Sequence, residues 1–205
     1  MPDLDKALAD IMAIRSQIAA GTAFRGYGPT ALAATGCLAL ITAVAQSLWL
    51  ENPTAQPMVF FAGWVAAAVL AAVIVGAEMR GRTRRHHSGL ADAMIHNAIE
   101  QFLPAAGVGV LLAVVFIRFA PEALWMLPGL WQVLVGLGIF ASVRSLPRGV
   151  AMAGGWYVAA GCGVLALASD GHALSPWAMG IPFAIGQFLL AAVLFLAAGD
   201  GDVEA

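Results

Sequence analysis

Six long apolar segments run through this chain, and nine of its ten Lys and Arg residues fall on one side of the membrane those segments would cross. A bilayer's hydrocarbon core takes about 20 predominantly apolar residues per helix, and cytoplasmic loops collect Lys and Arg because cationic loops resist translocation. The segments cover roughly residues 28–50, 57–77, 102–119, 128–143, 149–168 and 176–198. The expected fold class is all-α: a polytopic membrane protein built as a six-helix transmembrane bundle. With 61% hydrophobic and 11% charged residues, against about 25% charged in a soluble domain, the chain cannot hide its apolar surface in a soluble core. Six spans in 205 residues leave little for a separate soluble module, so one transmembrane domain over 1–205 is expected.

Charge sets the orientation. Lys6, Arg15 and Arg25 precede the first span, Arg80, Arg82, Arg84 and Arg85 follow the second, and Arg144 and Arg148 follow the fourth, with Arg118 the exception. The N- and C-termini are therefore expected in the cytoplasm. The opening residues lack a basic start, apolar core and cleavage site, so no cleaved signal peptide is expected. Cys37 and Cys162 both sit inside spans and form no CxxC pair, which leaves no disulfide framework or thiol metal site to expect.

The chain reads as three outward-facing hairpins, at 28–77, 102–143 and 149–198. Their outer loops, Glu51 to Pro57, Glu122 to Pro128 and Asp170 to Pro176, each place an acid six residues before a proline. Proline suits a first helical turn, and Ser175 can cap the last span; the spans themselves show no repeat, and ordinary helix-start chemistry accounts for the spacing. Trp49, Trp125, Trp131 and Trp177 lie near the outer ends, where amphipathic rings favour the headgroup level.

Two segments are amphipathic. Within residues 1–25, Leu4, Leu8, Ile11, Ile14 and Ile18 recur at three and four, as an interfacial helix with one greasy stripe requires. Within 79–101, a basic loop leads to a helix that Ser88 can cap and that carries Leu90, Met94 and Ala98 on one side. It runs into the third span, where Pro104 marks a joint or kink.

Asp92, His96 and Glu100 stack on one helix face at spacings of four, a row that can hold a divalent metal or relay a proton. On one straight helix the row extends about 12 Å, so a metal would need His86 or His87 as well. The polar face of an interfacial helix explains the row more simply. Arg80, Arg82, Arg84 and Arg85 form the densest cationic cluster, suited to anionic lipid at about 1 kcal/mol per cation; no helix-turn-helix or zinc-finger frame accompanies it, so nucleic acid is not expected as a partner. No histidine lies inside a span, which argues against a transmembrane haem, and no cofactor is expected.

The mid-span polar residues are neutral. Gln187, Gln132 and Gln46 are the candidates for a polar pocket, with interhelical hydrogen bonding the commoner role. Trp64, Trp156 and Tyr157 lie deep, their polar atoms expected to seek backbone carbonyls. Small residues recur every fourth position at Ala31, Thr35, Ala39 and Ala43, and at Ala151, Gly155, Ala159 and Gly163. Such stripes let helix backbones approach, within one bundle or between two copies.

The stretch ALADIMAIRSQIAAGTAFRGYGPTALAATG, with EALWMLPGLWQ and HALSPWAMGIPF later, resembles an uncharacterised family of bacterial inner-membrane proteins with six spans. That resemblance covers most of the length and implies a bacterial cytoplasmic membrane, but it carries no activity. The expected function is a non-enzymatic membrane protein, a scaffold or regulatory subunit that contacts lipid and docks a protein partner at its cytoplasmic face. A small-solute transporter or channel lined by the glutamines is the alternative, and a membrane enzyme or metal-binding protein the second.

Overall fold

The structure, a computed structural model, describes residues 28–86, 89–143 and 149–199, with the side chains of 82–86, 89–99, 101–102 and 198–199 outside that description. Among the described residues six helices follow one another: α1 (Pro29–Trp49), α2 (Pro57–His86), α3 (Gly89–Phe119), α4 (Leu127–Ser142), α5 (Val150–Ala168) and α6 (Pro176–Gly199), with a short 3-10 helix, Pro121–Met126, before α4. The chain is an all-helical membrane bundle. Five of the helices are long and apolar enough to cross a bilayer. The third expected span is the apolar end of α3, Leu103–Phe119, at the short limit of about 17–25 residues.

Prolines start α1, α2 and α6, where a missing N–H costs nothing. Of the joint or kink expected at Pro104, no break occurs: α3 runs unbroken through it, since neighbouring groups can re-satisfy the freed carbonyl in a membrane helix. The expected basic loop after residue 77 is also helical as far as His86. At 1.5 Å per residue α2 and α3 reach about 45 Å each, well beyond the roughly 30 Å of hydrocarbon. The two helices touch each other only slightly.

Packing runs from α2 through α1, α6, α5 and α4 to α3, with α4 on α5 and α1 on α6 the most extensive pairs. The α4–α5 pair is antiparallel and glycine-lined. A Cβ on Gly129 would lie 2.7 Å from the Gly161 carbonyl oxygen, and one on Gly136 would lie 2.8 Å from that of Gly154. Backbones this close gain dispersion contacts along their length, the main attraction available between helices in lipid. The fifth-span stripe is thereby corrected: Gly154, Tyr157, Gly161 and Val164 are buried, whereas Gly155 and Ala159 are exposed and a Cβ on Gly155 or Gly163 would meet nothing within 4 Å. The first-span stripe holds as read. Ala31, Thr35, Ala39 and Ala43 are all buried, and Gly180 of α6 fits against Ala43 and the Ala39 carbonyl.

The three outer loops adopt three different conformations, which speaks against a triplicated hairpin. Asn52 Oδ1 accepts from Ala55 N–H at 3.1 Å in the first, the second holds the 3-10 helix, and the third places His172 at φ 50°. They meet nonetheless: Leu174 N–H donates to Thr54 Oγ1 at 3.0 Å, and the His172 ring stacks on Trp125 with centroids 4.7 Å apart. At the opposite end the Glu78 carboxylate lies against Gly28 and accepts from Thr30 Oγ1 at 3.2 Å. An anion there suits the free N–H groups and dipole of the α1 N-terminus. That contact sets the start of α1 level with Glu78, so the remainder of α2 extends past it.

Candidate functional site

Polar side chains inside the bundle fall into two groups at different levels. The first crosses α1, α5 and α6. Thr35 Oγ1 donates to Gln187 Oε1 at 3.1 Å, Gln187 Nε2 donates to Tyr157 Oη at 3.2 Å, and Tyr157 Oη donates to the Phe183 carbonyl at 3.2 Å. Trp156 Nε1 donates to the Pro182 carbonyl at 2.9 Å beside it. Thr35 has a single hydroxyl hydrogen, and the Leu32 carbonyl at 2.8 Å competes for it. Gly186 is required here, because a Cβ would enter the Tyr157 ring. Gln187 thus serves as an interhelical strut, the commoner of its two expected roles. Tyr157→Phe should cost about 1 kcal/mol, within the range of interhelical hydrogen bonds in membranes; reversible unfolding in mixed micelles measures it, and an unchanged stability would deny the strut any weight.

The second group lies nearer the outer loops. Gln46 Nε2 donates to the Phe60 carbonyl of α2 at 2.8 Å, over Gly63, where a Cβ would meet the amide. Gln132 Nε2 donates to the Ala178 carbonyl of α6 at 2.8 Å. That acceptor is free for a reason written in the sequence: Pro182 has no N–H to return to the carbonyl four residues earlier. Trp131 Nε1 donates to the Gly109 carbonyl of α3 at 3.0 Å while its ring meets Phe61 edge-on at 5.6 Å. Trp131 therefore belongs to the core rather than to the headgroup belt, where Trp49 at 83% exposure fits. Around these groups pack Phe60, Phe61, Trp64, Leu127 and Met179.

Three buried polar atoms in this second group have no hydrogen-bond partner among the described residues: Gln46 Oε1, Gln132 Oε1 and Trp64 Nε1. Of the three deep aromatics expected to reach carbonyls, Trp156 and Tyr157 do so and Trp64 does not. An unmade hydrogen bond of this kind costs roughly 1–3 kcal/mol, and native structures keep few of them. Of the three candidates for a polar pocket, Gln187 bonds in the first group and Gln46 and Gln132 in the second. Nothing in the sequence showed that Trp64 shares a level with Gln46 and Gln132, because the helix order that brings them there is set by packing, not spacing.

Of the candidates expected at the cytoplasmic face, Arg80 and Glu100 are exposed. The side chains of Asp92, His96, His86, His87, Arg82, Arg84 and Arg85, and the helix expected over residues 4–18, lie outside the described residues. Among the described residues no three His, Cys, Asp or Glu side chains gather where one metal ion could be shared. Cys37 and Cys162 are exposed on their helices and unpaired with each other.

The least covered element is α2. Its membrane-length window, Pro57–Gly81, is 17% buried, against 33% to 44% for the other four spans. Between Trp64 and Met79 no side chain of α2 is buried, and only a stripe through Ala67, Ala71, Ile74, Val75 and Glu78 is half-covered. The rest of that stretch presents Val69, Val73 and the small residues Ala68, Ala72 and Gly76 outward. Comparison with protein-family models, with curated proteins and with solved structures gave no match.

Proposed function

We propose that this chain is a non-enzymatic subunit of the bacterial cytoplasmic membrane, with both termini in the cytoplasm, that holds a partner protein through the exposed stretch of α2. The bare inner stretch of α2 carries the reading. A helix of a self-sufficient bundle presents one face to its neighbours, whereas α2 presents most of its circumference outward. Ala68, Ala72 and Gly76 are spaced by four on that outward side, a pattern that admits a second transmembrane helix at close range. The cation cluster that begins at Arg80 continues the same helix past the membrane, where anionic lipid or an acidic partner segment would meet it. The conduit reading has less support, because the glutamine amides are engaged in bridging helices at two separate levels.

Site-directed photocrosslinking in native membranes tests the proposal. A benzophenone side chain at Val69 or Val73 should join the chain to one protein partner, while the same probe at Leu196, exposed on α6, should reach lipid only. Ala72→Leu should remove the crosslink and leave the bundle's stability within about 0.5 kcal/mol, as an outward position in lipid requires. Lipid adducts alone at Val69 and Val73 would reject the partner.

A further inference from the structure

We propose that the outer half of the bundle contains a binding site for one small neutral molecule between Gln46, Trp64 and Gln132. These three side chains are nearly sealed, with 6%, 5% and 0% exposure, and each turns one polar atom to no protein partner among the described residues. They share one level. Gln46 lies three residues from the outer end of α1, Trp64 seven residues into α2, Gln132 five into α4, and Ala178, which Gln132 contacts, two into α6. At 1.5 Å per residue all are within about 11 Å of the outer helix ends.

Trp64 belongs to the core cluster that also holds Phe60, whose carbonyl binds Gln46, and Met179, next to the carbonyl that binds Gln132. The Gln46 amide sits on the turn of α2 between Phe60 and Gly63, one residue before Trp64. The indole of Trp64 reaches Gly180, two residues from the Ala178 carbonyl that holds Gln132. Both amides are fixed by their nitrogen ends, so their oxygens cannot turn over to find other donors without breaking those bonds.

The free atoms define the guest. Two carbonyl oxygens ask for two donated hydrogens, and an indole N–H asks for one acceptor. A cation would face the positive end of the indole N–H, and an anion would face two amide oxygens, so a neutral molecule fits the set. Water has this complement, as does a small hydroxyl- or amide-bearing solute. A site of this kind needs two to four polar partners for its guest, and three are present.

Solid-state NMR of the full chain in bilayers, with indole-labelled tryptophan and Trp64→Phe to assign the Trp64 signal, tests this with water protons as the probe. The expected result is magnetisation transfer from water to Trp64 Nε1–H, with an indole shift of a hydrogen-bonded N–H. Gln46→Leu and Gln132→Met, examined separately so that one folded variant suffices, should each diminish that transfer. A bonded indole shift with transfer instead from a non-protein carbon-bound proton, and a stoichiometric organic molecule released on denaturation, would support the site with a solute as its guest. A Trp64 indole without transfer from any guest and with an unbonded shift would overturn the proposal.

Discussion

Gly161→Leu is expected to destabilise the bundle by about 3 kcal/mol or more, at the upper end of what overpacking costs. A Cβ there would lie 2.6 Å from the Gly129 carbonyl oxygen and 3.0 Å from Val133 N. Both obstacles are backbone, and no rotamer change can relieve them. The α4 and α5 axes must separate, and the second glycine contact, Gly136 on Gly154, loosens with them. Gly155→Leu and Gly163→Leu on the same helix are the matched comparison, since a Cβ at either glycine meets nothing within 4 Å. These should change stability by less than about 1 kcal/mol, with the poor helix propensity of glycine working in their favour. Reversible unfolding in mixed micelles, read by tryptophan fluorescence and far-UV circular dichroism, orders the three variants. Equal losses at 155, 161 and 163 would mean that the α4–α5 interface does not run through Gly161.

The same comparison explains what the chain made legible. Glycines seven apart on each helix, Gly129 and Gly136 on one and Gly154 and Gly161 on the other, form a seam that spacing alone could have suggested. A competing series at Ala151, Gly155, Ala159 and Gly163 lies on the same helix, a single residue out of phase. Both series satisfy the small-residue rule, and only the facing helix selects between them. Apolar length and proline starts were sufficient for six helices, because each depends on its own few residues. Pro104 left joint and kink both open for the opposite reason: its effect on α3 depends on the groups around it. Trp131 likewise sits near the outer end of α4, as a belt residue would, yet Phe61 and the Gly109 carbonyl draw it inward. Of the candidate site, the glutamines were visible as isolated polar residues in apolar spans. Their acceptors, and the Trp64 indole that shares their level, became visible only through the order in which the helices pack.

Gln132 and Pro182 should be energetically coupled, although 50 residues separate them in the chain. Gln132→Leu removes the N–H that reaches the Ala178 carbonyl and leaves that oxygen without a donor in a layer from which water is largely excluded, at a cost of roughly 1–3 kcal/mol. Pro182→Ala restores a backbone N–H four residues beyond Ala178, so the carbonyl regains its helical partner. In that background Gln132→Leu should cost less, with a coupling of about 1–2 kcal/mol in the double-mutant cycle. Leucine also removes the contribution of Gln132 Oε1, which has no protein partner among the described residues. That contribution enters both arms of the cycle and cancels, so the coupling isolates the donated hydrogen bond where either single variant cannot. Unfolding of the four proteins in one micelle composition supplies the cycle. Additive losses would show that Gln132 fills space at this position and that the proline-freed carbonyl of α6 is satisfied in some other way.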